Sequence, residues 1–216
     1  MKKAIIFDCW GTLFYDDINP RPLDEFAAKL GRTMKDYSYL RAFEENLMLE
    51  KCEDLERAIR NLMGDLDIEI DEKLVKELTG ILENMRKSDK IKSYPKTLET
   101  LRMLKDRGFR LGIISNAINH DFESLDMKYD IRNLFDVIVL SYEEGVIKPD
   151  PKIFKIALER LGTSNSETLM VGDNLKDDVI AAEEQGIDGL LLDNDNKYPE
   201  FNRRIMSISQ IFDYLK

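Results

Sequence analysis

A chain of 216 residues, 43% hydrophobic and 9% aromatic, has enough apolar material for one ample domain, or one domain with a smaller inserted module, which excludes a disordered or fibrous protein. Its 34% charged residues and net charge of −10 describe an acidic, soluble surface and exclude generic nucleic-acid binding. No apolar run approaches the ~20 residues that cross a bilayer, and the N-terminus enters a strand at once instead of a signal peptide, so no membrane partner and a cytoplasmic location are expected.

The first element is Ala4-Ile5-Ile6-Phe7, a short run without polar alternation, as expected of a strand buried on both faces of a parallel sheet. It ends in Asp8-Cys9-Trp10-Gly11-Thr12. In open α/β sheets the carboxyl ends of the strands carry the ligand site, so Asp8 is a candidate for chemistry, with Gly11 allowing the backbone to turn sharply. Cys9 and Cys52 have neither a metal-binding spacing nor a disulfide framework; they read as reduced thiols, Cys9 as a small buried hydrophobe.

Beyond Phe14 come turn residues and two prolines, Pro20 and Pro22. From about Leu23 to Met85 the patterns are helical. Tyr37/Leu40/Phe43/Leu47 and Leu55/Ile59/Leu62/Leu66 recur at helical intervals, and Asp71 caps a third stripe of Leu74, Val75, Leu78, Ile81, Leu82 and Met85. Helices with one apolar face each must bury those faces together, so residues 17–92 are expected to form a small helical bundle inserted into a core domain made of 1–16 and 93–216. Tyr37, Tyr39 and Phe43 belong to that bundle's core by their spacing, although they could also line a substrate pocket.

After Pro95, helix and strand alternate. A helix marked by Leu98, Leu101 and Leu104 stops at Gly108, and the strand Leu111 to Ile114 ends in Ser115-Asn116. His120 to Met127 is helical, Val137 to Leu140 is a strand, and a loop leads to Lys148-Pro149. Asp150 suits an N-cap, Pro151 the first helical position and Gly162 the stop of the next helix. Thr168 to Val171 is a fourth strand, ending in Gly172-Asp173 through Asp177-Asp178; a helix to Gly186 and the strand Gly189 to Leu192 follow. The result is a three-layer α/β fold, a Rossmann-like core with a parallel sheet.

Polar groups therefore recur at strand ends: Asp8, then Ser115-Asn116, then Lys148, then Asp173 with Asp177 or Asp178. Acids gathered at one crevice repel each other and require a cation. Hard carboxylate oxygens, a backbone carbonyl and waters suit Mg²⁺, and a serine hydroxyl, turn amides and a lysine complete a pocket for a tetrahedral dianion. The implied reaction is phosphoryl transfer through an aspartyl-phosphate.

These stretches resemble the four motifs of the haloacid dehalogenase-like hydrolases over nearly the whole core. The resemblance implies that Asp8 is the nucleophile, that the Trp10 carbonyl binds Mg²⁺ with Asp8, Asp173 and Asp178, that Ser115 holds phosphate and that Lys148 balances charge. Gly11, Thr12 and Asn116 would join Trp10 in the phosphate cradle. It also implies that residues 17–92 are a cap closing over the site. Trp10 departs from the pattern of family phosphatases, which carry there an Asp that acts as general acid and base; its loss removes roughly 10²–10⁴ in rate and should favour aryl or acyl phosphates. The dehalogenase branch carries an aromatic residue at this position and needs no metal, and Arg41 lies about as far after the nucleophile as its halide-binding arginine. The acids around Asp173 and Asp178 favour the Mg²⁺ phosphatase of small phosphate esters. The alternatives are a metal-independent 2-haloacid dehalogenase and a phosphate-binding or regulatory protein with little turnover. The expected partner is a small phosphorylated molecule, with the chain a monomer or homodimer; His120, the one histidine, reads as a capping or surface residue.

Overall fold

The computed structural model describes residues 2–85 and 89–215. Strand β1 (Ala4–Phe7) is buried throughout and turns into the short strand β2 (Phe14–Asp16). Four helices follow: α1 (Pro22–Lys29), α2 (Tyr37–Leu47), α3 (Leu55–Asp65) and α4 (Glu72–Met85). Their starts carry local chemistry. Pro22 opens α1, the Asp36 carboxylate accepts from the Ser38 and Tyr39 amides at 3.1 and 3.3 Å, and Asp54 accepts from the Arg57 amide at 2.9 Å. The chain returns along β3 (Ile91–Ser93), antiparallel to β2 with Asp16 opposite Ile91.

Helix and strand then alternate: α5 (Thr97–Asp106), β4 (Arg110–Ser115), α6 (Asn119–Tyr129), α7 (Ile131–Leu134), β5 (Val137–Leu140), α8 (Ser141–Glu144) and α9 (Pro151–Leu161). Next come β6 (Thr168–Gly172), a π-helical turn over Leu175–Ile180, α10 (Ala181–Glu184), β7 (Asp188–Leu192), β8 (Arg204–Ile205) and α11 (Ile211–Tyr214). The main sheet runs β5-β4-β1-β6-β7-β8 with every neighbouring pair parallel. Strand order thus reverses at β1. The crevice at the carboxyl ends of β1 and β6 is the topological switch point, where ligands bind in open α/β sheets.

Alternation along the central strands splits their side chains between two layers. Ile5, Phe7, Leu111, Ile113, Leu169 and Val171 face one apolar cluster, completed by Leu101, Phe122 and Ile211; Ala4, Ile6, Ile114 and Met170 face another with Ile153, Phe154 and Ala181. Both faces are covered, which gives the Rossmann-like α/β architecture. The helices α1 to α4 enclose a third cluster around Phe26, Tyr39, Phe43, Ile59, Leu62 and Leu78, which Ile118 joins from the β4–α6 connection.

Several local features differ from the sequence-based expectation. Helix α1 forms on the pattern Leu23/Phe26/Ala27, too short to stand out beside two prolines. The ribbon of β2 and β3 and the strand β8 have two or three residues each, too few to show a period of two. The loop after β5 begins with a helical turn, and the segment leading to Gly186 starts as a π-helix. Residues 86–88 of the expected insertion lie outside the described residues. Among the described residues no helix is long and apolar enough to cross a membrane.

Candidate active site

Asp8 continues the β1 ladder by one bond, its amide donating to Val171 O at 2.9 Å, so the backbone that carries it is held by the sheet. Asp8 is 6% exposed, and its carboxylate is engaged on both oxygens. Lys148 Nζ donates to Oδ1 at 2.6 Å and Thr12 Oγ1 donates to Oδ2 at 2.9 Å. Lys148, itself 4% exposed, also donates to Asp178 Oδ1 at 2.6 Å. The Thr12 hydroxyl lies 3.1 Å from Asp173 Oδ1 and accepts from the Asp173 amide at 3.0 Å. One ammonium and one hydroxyl thus hold three carboxylates together.

Two glycines make this approach possible. Gly11 sits at φ +84°, and a Cβ there would stand 2.6 Å from Asp173 Oδ2; a Cβ on Gly172 would stand 2.2 Å from Asp178 Oδ2. The side chain of Asn174 caps the π turn, accepting from the Lys176 and Asp177 amides at 3.0 and 3.1 Å. Consecutive residues on that turn point in different directions. Asp178 is therefore turned back to Lys148, and the Asn174 amide donates to its Oδ2 at 3.1 Å, while Asp177, also buried, is turned to Arg41 of the helical segment.

The electrostatics follow from burial and crowding. Burial pulls the Lys148 pKa down, but Asp178 and Asp8 outweigh it and hold the ammonium charged well above the ordinary lysine range. Burial, and then Asp8, push Asp173 up to about 6. Asp178 is pushed up to about 8 by burial, against the pull of Lys148 and with repulsion from Asp8 and Asp173. Carboxylate oxygens of Asp8, Asp173 and Asp178 lie within 4.8 Å of one another. An all-oxygen donor set with more carboxylates than cations fits a hard divalent ion. Cys9 beside Asp8 is fully enclosed, and burial with Asp8 raises its thiol far from reactivity.

A cavity of about 260 Å³ opens over this cluster. Asp8, Trp10, Asn116, Lys148, Asp173 and Asp178 line it from the sheet, and Leu40, Phe43, Glu44 and Met48 from α2 and its end. Not every expected cradle residue reaches it. Ser115 ends β4 but is wholly buried, its hydroxyl 3.4 Å from Asn116 O, and Asn116 and Ala117 form the wall instead. Thr12 lies beneath the carboxylates, and Gly11 lines an adjoining chamber. Asn116 is pinned: its Oδ1 accepts from the Lys148 amide at 2.8 Å, and its Nδ2 donates to Lys148 O at 3.2 Å and to Glu44 Oε1 at 3.0 Å.

The helical side reaches the core through Arg41, which donates to Lys148 O at 2.5 Å and to Asp177 Oδ2 at 3.3 Å and also pairs with Glu44. Lys176 lies 3.4 Å over the Tyr37 ring, and the Cys52 amide donates to Asn119 Oδ1 at 3.1 Å. Tyr39 and Phe43 are core residues of the bundle, Phe43 lines the cavity as well, and Tyr37 is exposed. His120 is half-buried at the start of α6, 3.6 Å from Glu123.

Among the cavity residues that escaped the sequence reading are two acids, Glu44 and Asp16. Glu44 is an acid in the stripe Leu40/Phe43/Glu44/Leu47, a buried place where a charge signals a polar partner; burial raises it to about 7 against Arg41 and Asn116. Asp16 ends β2 and borders both this cavity and the adjoining chamber. No sequence signal marked that three-residue strand.

A family model described as haloacid dehalogenase-like hydrolase matches residues 2–186. A glyceraldehyde 3-phosphate phosphatase of Methanothermobacter thermautotrophicus is 36% identical over 106 residues, covering 49% of this chain and 46% of the relative, so the match spans about half of that protein. A protein of the same name from Methanocaldococcus jannaschii is 28% identical over 232 aligned positions, 100% of this chain and 98% of the relative. The crystal structure of a phosphatase of this type from Thermococcus onnurineus superposes with a TM-score of 0.62 at 25% identity, covering 100% and 98% of the two chains.

Proposed function

The chain belongs to the haloacid dehalogenase-like hydrolases, and from that premise we propose that it is a Mg²⁺-dependent phosphatase of small phosphate esters working through an aspartyl-phosphate on Asp8. The observation that carries the reading is the cluster of Asp8, Asp173 and Asp178 around a single ammonium, Lys148. Three acids around one ammonium leave a surplus of negative charge that a bound cation would balance. Relatives named glyceraldehyde 3-phosphate phosphatase favour a substrate of a few carbons, which suits the cavity volume.

Asp8, Asp173, Asp178 and the Trp10 carbonyl would hold the ion. When bound it would neutralise phosphate oxygens and the charge that develops on them. Asp8, fixed by Lys148 and Thr12, attacks phosphorus as the leaving oxygen departs, and water then attacks the aspartyl-phosphate to release inorganic phosphate and restore the carboxylate. Lys148 keeps its proton throughout and balances charge on the nucleophile and the transferred group. Asn116, bonded to both the amide and the carbonyl of Lys148, positions that lysine. The residues of α2 exclude water from one wall of the cavity.

A second reading, a 2-haloacid dehalogenase without metal, draws on Trp10 and Arg41. It is less favoured because the Arg41 guanidinium is already engaged by Asp177, Glu44 and Lys148 O, leaving little of its charge for a halide. Phosphate release from a small phosphate ester with and without Mg²⁺, with chloride release from 2-chloropropionate in parallel, tests the choice. Metal-dependent phosphate release supports the phosphatase; metal-free chloride release supports the dehalogenase; neither product leaves a binding role.

A further inference from the structure

Trp10 cannot donate the proton that a departing alkoxide needs, yet one wall of the catalytic cavity holds a carboxyl group with no structural task. Asp16, the last residue of β2, borders both the cavity over Asp8 and a chamber of about 270 Å³ lined by Trp10, Tyr15, Arg21 and Tyr94. Its Oδ1 is fully enclosed and has no hydrogen-bond partner among the described residues. Among the described residues no ion pair holds it, in contrast to Asp8, Asp178 and Glu44. A buried carboxyl oxygen without a partner is destabilising, and such a group is retained where a ligand supplies the partner. Burial alone raises it to about 6, near the range where an acid both gives up and regains a proton at neutral pH.

We propose that Asp16 is the general acid and base of this phosphatase, taking the part that the side chain at position 10 cannot play; the inference rests on the phosphatase reading above. In the first half-reaction the Asp8–phosphorus bond forms and the phosphorus–leaving oxygen bond breaks. The proton of the Asp16 carboxylic acid passes to that oxygen, releasing an alcohol and leaving Asp16 as carboxylate. In the second half-reaction Asp16 takes a proton from the water whose oxygen attacks phosphorus. The Asp8–phosphorus bond breaks, inorganic phosphate leaves, and both side chains return to their starting states. Asp16 stands at the root of the β2–β3 ribbon, with the neighbouring Asp17 amide bonded to Lys90 O at 2.9 Å. It is therefore carried on paired backbone at the entrance to the helical segment.

The test is the rate of leaving-group release in the first turnover, before the aspartyl-phosphate is hydrolysed, for wild type and Asp16→Asn on an alkyl phosphate and on p-nitrophenyl phosphate, whose leaving group needs no proton. The expected result is a roughly 10²–10⁴-fold fall on the alkyl ester and less than about 10-fold on the aryl ester, which also shows that the variant is folded. In the double variant Trp10→Asp/Asp16→Asn, alkyl phosphate hydrolysis should recover in part, since a carboxyl at position 10 supplies the missing proton. Equal losses on both esters, or no loss on the alkyl ester, would overturn the role of Asp16 while leaving the phosphatase intact. If wild type releases phosphate from neither ester, the phosphatase reading falls and this inference with it.

Discussion

Replacing Thr12 by Val keeps the shape of the side chain and removes the one hydroxyl between two carboxylates. Thr12 is fully buried, donates to Asp8 Oδ2 at 2.9 Å with Asp173 Oδ1 at 3.1 Å, and accepts from the Asp173 amide at 3.0 Å. The variant loses a hydrogen bond to a charged group and orphans a backbone amide, each worth about 1–3 kcal/mol. Because one hydroxyl serves both, the two losses overlap, and a total of about 3 kcal/mol is expected at pH 7.5 without metal. Asp173 is pushed up to about 6 by burial and Asp8. Below that value it is protonated and no longer repels Asp8, so the loss should shrink at pH 5. The sign agrees with linkage: the Thr12 bond lowers the Asp173 pKa and so matters most where that group is ionised. Urea unfolding of both proteins in chelator at the two pH values measures it. A loss below about 1 kcal/mol at pH 7.5, or an equal loss at both, would show that the hydroxyl does not bridge two charged carboxylates.

Gly11→Ala places a methyl group 2.6 Å from Asp173 Oδ2 at a backbone φ of +84°. The protein should fold with a loss of about 1–2 kcal/mol, while Mg²⁺ affinity, read by titration calorimetry, falls at least tenfold as Asp173 is displaced; unchanged affinity would contradict the site. Glu44 is raised by burial from 4.5 to about 7, so wild-type stability should be fullest below the ordinary glutamate pKa and decline as pH rises through about 7. Relative to Glu44→Gln the decline should total about 3 kcal/mol between pH 4.5 and 8, and a flat difference in urea midpoints across that range would refute it.

The core of the fold was legible because its signals are local. Ala4–Phe7, Leu111–Ile114, Val137–Leu140 and Thr168–Val171 are apolar runs ending in polar groups, and the strands observed there agree to within a residue. The caps Asp36 and Asp54 and the short elements β2, β3 and β8 were not read, since strands of two or three residues carry no periodicity and take their conformation from the neighbour they pair with. The acids of the site were legible for the same reason as the strands: each stands at a strand end. Spacing left Asp177 and Asp178 open, and the π turn separates them by sending one to Arg41 and the other to Lys148. Glu44 and Asp16 illustrate what pattern reading misses. Each is an acid beside a crevice that exists only when the helical segment lies over the sheet, so only tertiary structure exposes its surroundings.

The most direct test of the account is acid quenching of the protein during turnover of a small phosphate ester with Mg²⁺, followed by mass analysis of the chain. A hydroxylamine-labile phosphoryl group is expected on Asp8 in the wild type and none in Asp8→Asn. Steady phosphate release by Asp8→Asn, or a wild-type chain that turns over without ever carrying phosphate, would contradict it.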